Sequence, residues 1–166
     1  MKPLVIDAFD FGRARDRRDG EVAVAVLSRL SSECVDTSGI LRWEIAGGTH
    51  ASGHPQLLMQ VSGDVQLVCQ RCLRPFAYPI ESASTLVLAN DEAQADQIEA
   101  MLDDESIDVI VGSAAMNLVD LIEDEALLAI PQAPKHGICP GAEAVIRIDE
   151  DDAKPSPFAI LKNLKH

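Results

Sequence analysis

Two thiols three positions apart, in Cys69-Gln-Arg-Cys72, are the residues of this sequence best suited to chemistry. At a strand end followed by a turn, such a pair can grip one Zn²⁺, whose tetrahedral site takes four Cys or His ligands at about 2.3 Å for sulfur and about 2.0–2.1 Å for nitrogen. A second pair is then required, and His136-Gly-Ile-Cys139 has the same spacing between Pro134 and Pro140. Cys69, Cys72, His136 and Cys139 would close a Cys₃His site with no open position, which makes it structural rather than catalytic. Two other readings stand beside it. The pair could be a redox dithiol, with Arg71 and Arg74 lowering a thiol pKa, although the βαβ setting of a thioredoxin-like site is missing. The thiols could also be inert, as Cys34 is most simply read.

Other chemistry is scarce. His50 and His54 have a helical spacing inside Gly47-Gly-Thr-His-Ala-Ser-Gly-His-Pro55, which is too glycine-rich for a helix and reads as a hairpin loop. No phosphate-binding loop, dinucleotide fingerprint, nucleophile elbow or zincin motif is present in the sequence. Nothing assembles a nucleophile, a base and an oxyanion donor, so no catalytic residue and no small-molecule substrate is expected.

The elements that must position the cysteines follow from periodicity. Residues 40–46, 56–61, 64–69 and 78–88 are rich in Val, Leu, Ile and Thr and separated by Gly, Ser, His and Pro clusters, which predicts strands of a mainly antiparallel sheet. Residues 20–30 fit both a strand and a helix and are read as helix. Residues 91–106 read as a mobile acidic loop with at most a short helix, and 107–111 as a short buried strand. Residues 117–130 are the clearest helix, capped by Asn117 and stopped by Pro131. Leu118, Leu121, Ile122, Leu128 and Ala129 share one face, Asp120, Glu123 and Asp124 the other, and Glu125 falls inside the apolar stripe. A carboxylate there either snorkels or needs a cation, and Arg71 and Arg74 are the candidates. Residues 149–155 read as a linker to a short helix, 156–165, with Phe158, Leu161 and Leu164 on one face and Lys162 and Lys165 beside them. The expectation is a single α+β domain over residues 1–166: the sheet, one packed amphipathic helix and a short C-terminal helix.

Charge sets the class of partner. The chain has 166 residues and a formal charge of -13. Residues 1–90 hold 9 basic and 10 acidic side chains, 91–152 hold 2 and 17, and 153–166 hold 3 and none. Such a field argues against coating nucleic acid, which rests on Lys and Arg, but leaves a cationic face open if Arg13, Arg15, Arg17 and Arg18 gather with the terminal lysines. No window is long and apolar enough for a membrane span, and Asp7, Asp10 and Asp16 stand where a signal peptide would be apolar. The expected location is the cytoplasm, with no membrane partner.

Four motifs in order carry a family resemblance. They are Val68-Cys-Gln-Arg-Cys-Leu-Arg-Pro-Phe76, Asn117-Leu-Val-Asp-Leu-Ile-Glu-Asp-Glu-Ala-Leu-Leu-Ala-Ile-Pro131, the Pro-x-His ahead of Cys139, and Pro155-Ser-Pro-Phe-Ala-Ile-Leu-Lys-Asn-Leu-Lys165. From about residue 20 onwards the chain resembles the YceD family of large ribosomal RNA subunit accumulation proteins. The resemblance implies a non-enzymatic role in the synthesis, processing or stability of 23S rRNA. Some relatives carry a second Cys pair where this chain has His136 and Cys139. Physics and resemblance together point to either ribosomal RNA or a basic ribosomal or RNA-processing protein as partner, with the acidic 91–152 stretch favouring the protein. The residues expected to make or organise contact are Arg71, Arg74, Glu125, Phe158, Leu161, Lys162 and Lys165.

Overall fold

A long hairpin dominates the sheet because two stretches of alternating apolar residues face each other. The computed structural model describes residues 4–141. Strand β1 (Val5–Ile6) leads into helix α1 (Ala8–Ala14), then β2 (Arg17–Ala23), a 3₁₀ turn at Val24–Val26, and α2 (Ser28–Glu33). There follow β3 (Ile40–Thr49), β4 (Pro55–Val68), β5 (Pro75–Ala89), α3 (Glu92–Leu102), β6 (Ile107–Val111), β7 (Met116–Asn117) and α4 (Leu118–Leu128). The main sheet runs β2-β3-β4-β5-β6, antiparallel except for the parallel β5–β6 pair, and β1 pairs with β7. This is the expected α+β class with a mainly antiparallel sheet.

Period-two burial places the core on the inner face. Leu41, Trp43 and Ile45 of β3 and Leu57, Met59 and Val61 of β4 are buried, while Arg42 and Leu58 between them are exposed. Strand β5 serves both faces: Leu86 and Leu88 join the main core with Leu118, Ile122 and Ala126 of α4, whereas Val87 and Ala89 join Ala95 and Ile98 of α3. The two helices therefore cover opposite faces of the β5–β6 end.

Three expectations change. Residues 20–30 are a strand to Ala23, then the 3₁₀ turn and α2, rather than one helix. Gly20 pairs with Trp43, and a side chain at position 20 would meet the indole ring at 2.9 Å, so this strand fits because it has none there. The two strands 56–61 and 64–69 are one strand, with Gly63 in register between Leu41 and Ile80. Residues 92–102, expected as acidic loop with at most a short helix, form an 11-residue helix whose N-cap Asp91 accepts from the Gln94 N–H at 2.8 Å; sparse as its apolar residues are, Ala95 and Ile98 are buried. Residues 1–136 form one compact unit and a second begins at Gly137, of which 137–141 are described. The linker 149–155 and helix 156–165, with Phe158, Leu161, Lys162 and Lys165, lie outside the described residues. Among those residues no helix is long and apolar enough to cross a membrane.

Helix α4 is turned from the face periodicity predicts. Leu128 is 80% exposed, while Glu123, expected in solvent, is 5% exposed. The cause is α2, whose N-cap Leu27 offers no side-chain acceptor. Glu123 supplies it: its Oε1 accepts from the backbone N–H groups of Arg29 at 2.7 Å and Leu30 at 3.1 Å, and its Oε2 from Arg29 Nε at 2.9 Å. Burial pushes the Glu123 carboxyl up, but the Leu30 N–H, the Arg29 guanidinium and the Arg29 N–H outweigh it and hold the group below its ordinary value. A depressed folded pKa contributes stability that is present above the unfolded pKa, about 4.3, and is lost as pH falls through the folded value. Glu123→Gln should lower unfolding free energy by about 1–3 kcal/mol at neutral pH. In denaturant titrations the deficit should shrink as pH is lowered through the carboxylate range, and a deficit that stays constant contradicts this capping role.

Candidate metal centre

The chain leaves β4 at Val68 and re-enters the sheet at Pro75, its register partner. The turn between them is closed by hydrogen bonds that fold it around the Cys69 sulfur. Cys69 N–H donates to the Arg74 carbonyl at 3.0 Å, and Leu73 N–H donates to the Cys69 carbonyl at 2.8 Å. Leu73 sits at φ 60°, the left-handed backbone that brings the chain back on itself. Gln70 N–H donates to the Pro134 carbonyl at 2.9 Å and Arg71 Nη2 to the His136 carbonyl at 3.2 Å, tying the turn to residues 134–136.

These ties bring His136 to the cysteines. Its Nδ1 lies 3.4 Å from Cys72 Sγ, and its ring packs on Phe76 with centroids 4.8 Å apart. A tetrahedral zinc sets neighbouring sulfur and nitrogen ligands about 3.5 Å apart, so the spacing suits two ligands of one ion. The ligand atoms of Cys69, Cys72 and His136 lie within 4.8 Å of one another, and Cys139, the fourth residue of the expected Cys₃His set, follows three residues on. The group could bind a metal.

Its electrostatics favour a thiolate. Burial pushes the Cys69 thiol up, but the backbone N–H groups of Cys72, His136 and Arg71, with the His136 side chain, bring it down to about 5. N–H donors aimed at a sulfur are the outer support that a metal-bound cysteine needs. Arg71 is thus joined to this turn, and Arg74 contributes its carbonyl there while its side chain is exposed.

The partners expected for Glu125 are different ones. Glu125 is 7% exposed and accepts hydrogen bonds from the Ser82 and Ser84 hydroxyls, the latter at 2.8 Å, rather than pairing with Arg71 or Arg74. Ser82 and Ser84 are alternate residues of β5, so both hydroxyls rise from the same face beneath α4. Of the expected cationic face, the terminal lysines lie outside the described residues, and the N-terminal arginines have acidic neighbours. Arg13 pairs with Asp10 at 2.5 Å, Arg17 with Glu44 at 2.5 Å, and Arg18 lies 4.0 Å from Asp16, so acidic neighbours interleave the expected cationic face.

Residues 57–165, a span holding the turn, α4 and all four candidate ligands, match the family model described as large ribosomal RNA subunit accumulation protein YceD. The chain belongs to this family. A Haemophilus influenzae protein of the same description is 28% identical over 173 residues, covering 98% of this chain and 95% of that protein. No solved structure matches the chain. The family match bears out the resemblance carried by the four motifs, and its description names no reaction.

The buried carboxylate of this family member yields a test of how its serines hold it. Replacing both, Ser82→Ala with Ser84→Ala, should cost about 1–3 kcal/mol because Glu125, largely buried, loses its hydroxyl donors. Adding Glu125→Leu should return part of that loss. Urea unfolding of the three proteins measures it, and a triple variant no more stable than the double one refutes the pairing.

Proposed function

We propose that this protein supports accumulation of the large-subunit rRNA by holding other molecules, without catalysing a reaction. The observation that carries this reading is the family match across residues 57–165. The H. influenzae relative bears the same description over nearly the whole of both chains. Ribosome biogenesis makes the cytoplasm its setting. In cells lacking the protein, the ratio of 23S to 16S rRNA and the large-subunit peak in a sucrose gradient should both fall, and the wild-type gene should restore them. An unchanged ratio with unchanged peaks defeats the reading.

The Cys₃His group gives the turn its part in this function: Cys69, Cys72, His136 and Cys139 hold a structural zinc. The thiolate-favouring surroundings of Cys69 support it, since zinc binds the deprotonated sulfur. A closed four-ligand site supplies rigidity and leaves no place for a substrate. Protein purified without added zinc should contain about one zinc per chain, and Cys72→Ser should lose it together with thermal stability. Metal-free wild-type protein of undiminished stability removes the zinc.

The contact residues divide accordingly. Arg71 organises the turn through the His136 carbonyl, Glu125 organises α4 on the sheet, and Arg74, Phe158, Leu161, Lys162 and Lys165 are left as contact residues. Ion pairing of Arg13 and Arg17 with carboxylates and the acidity of residues 91–152 favour a basic ribosomal or RNA-processing protein over direct rRNA contact.

A further inference from the structure

A groove of about 840 Å³ runs along β6 between the end of α3 and the side of α4. Strand β6 is last in the sheet and pairs only with β5 among the described residues, so its outer edge presents backbone donors and acceptors. Helices α3 and α4 cover opposite faces of this end of the sheet, and the edge opens between them. The apolar lining comes from both sides: Leu102, Ile107 and Val109 near α3, and Leu86, Leu121 and Leu128 near α4. Leu128 is 80% exposed, an unusual position for a large side chain beside an apolar groove.

Charge decides what such an edge would accept. Glu99, Asp103, Asp104 and Glu105 line it at the α3–β6 turn, Asp108 stands on the strand itself, and Asp124 and Glu125 line it from α4. Asp124 is met by Arg29 and Glu125 by Ser82 and Ser84, while no Lys or Arg is among the described lining residues. Asp104 accepts from the Ser106 N–H and hydroxyl, and these donors hold its carboxyl below its ordinary value. A second copy of this chain pairing edge to edge would bring two such acidic walls together, and nucleic acid would meet them with its phosphates.

We propose that β6 accepts an extended, Lys- and Arg-rich segment of a partner protein as a further strand, its backbone bonding the open edge and its cations facing the carboxylates on either side. This deepens the reading that the partner is a basic protein and rests on it. Apolar residues alternating with the cations would enter between the two helices, because successive side chains of a strand point to opposite faces.

A fluorescein-labelled peptide of alternating Lys and Val tests the groove by anisotropy against the full-length protein. The expected result is saturable binding that weakens as salt rises and is lost when Glu replaces Lys in the peptide. Asp104→Lys with Asp108→Lys should weaken binding at least about tenfold, whereas Asp10→Lys with Asp19→Lys, an equal change in net charge away from the groove, should change it by less than about twofold. Methylating alternate peptide nitrogens removes donors without touching charge and should also weaken binding by about tenfold. Equal loss from the two double variants overturns the groove as the site, and undiminished binding of the methylated peptide overturns strand addition. Should no cationic peptide bind wild-type protein at any salt concentration, the basic-partner reading fails with it, which the other two outcomes leave standing.

Discussion

The pairing of β4 with β5 is the constraint on which the rest of the molecule hangs. Thirteen residue pairs run from Gln56↔Val87 to Val68↔Pro75, an antiparallel ladder much longer than an average strand of about five or six residues. Register in such a ladder is strongly specified, because a slip of one residue would turn Leu57, Met59, Val61, Val65 and Leu67 away from the core. One end of the ladder fixes where the chain turns at Cys69–Arg74, so the thiols are delivered by sheet register rather than by a flexible loop. Further along β5, the same register sets Ser82 and Ser84 under α4. The placing of the Cys69–Cys72 turn and the seat of a buried carboxylate are both consequences of one hairpin.

Helix α4 shows how two acids two positions apart can both be buried without a matching number of cations. Glu123 faces α2 and meets backbone N–H groups with one guanidinium, and Glu125 faces β5 and meets hydroxyls. Desolvating a carboxylate costs several kcal/mol unless its oxygens are met by donors, so each acid acts as a directional lock. Apolar packing by Leu118, Ile122 and Ala126 would tolerate rotation of the helix on the sheet. The two carboxylates, held in opposite directions, restrict it.

Much of this was legible in the sequence where one periodicity prevailed. Runs of Val, Leu, Ile and Thr mark β3, β5 and, in two pieces, β4, the Asn117 cap and Pro131 bound α4, and matching Cys-x-x-Cys and His-x-x-Cys spacings pick out the candidate ligands. Legibility failed where a tertiary partner reversed a local preference. Residues 92–102 have too few apolar positions to favour a helix alone, yet Ala95 and Ile98 have Val87 and Ala89 to pack on. Glu123 looked solvated because nothing in the sequence says that α2 lacks a cap of its own. Glu125 stands out in an apolar stripe of the sequence, but its partners do not, because charge is easier to see in a sequence than two serines alternating on a strand. The one signal that points to them is Ser82-Ala-Ser84, whose spacing of two puts both hydroxyls on one face of a strand.

Charge along a sequence and charge in space diverge in opposite ways at the two ends of this molecule. Near the start, Arg13 and Arg17 fold next to Asp10 and Glu44, so two of the four arginines in a run that looks cationic are paired within their own surface. Between residues 99 and 125 the opposite happens, and carboxylates from a helix end, a turn, an edge strand and a second helix converge on one groove with no basic side chain among its described lining residues. Fields from like charges around a low-dielectric concavity add rather than cancel. The basic partner proposed above follows from this convergence, because a sheet edge walled by carboxylates suits a cationic polypeptide better than a phosphate backbone.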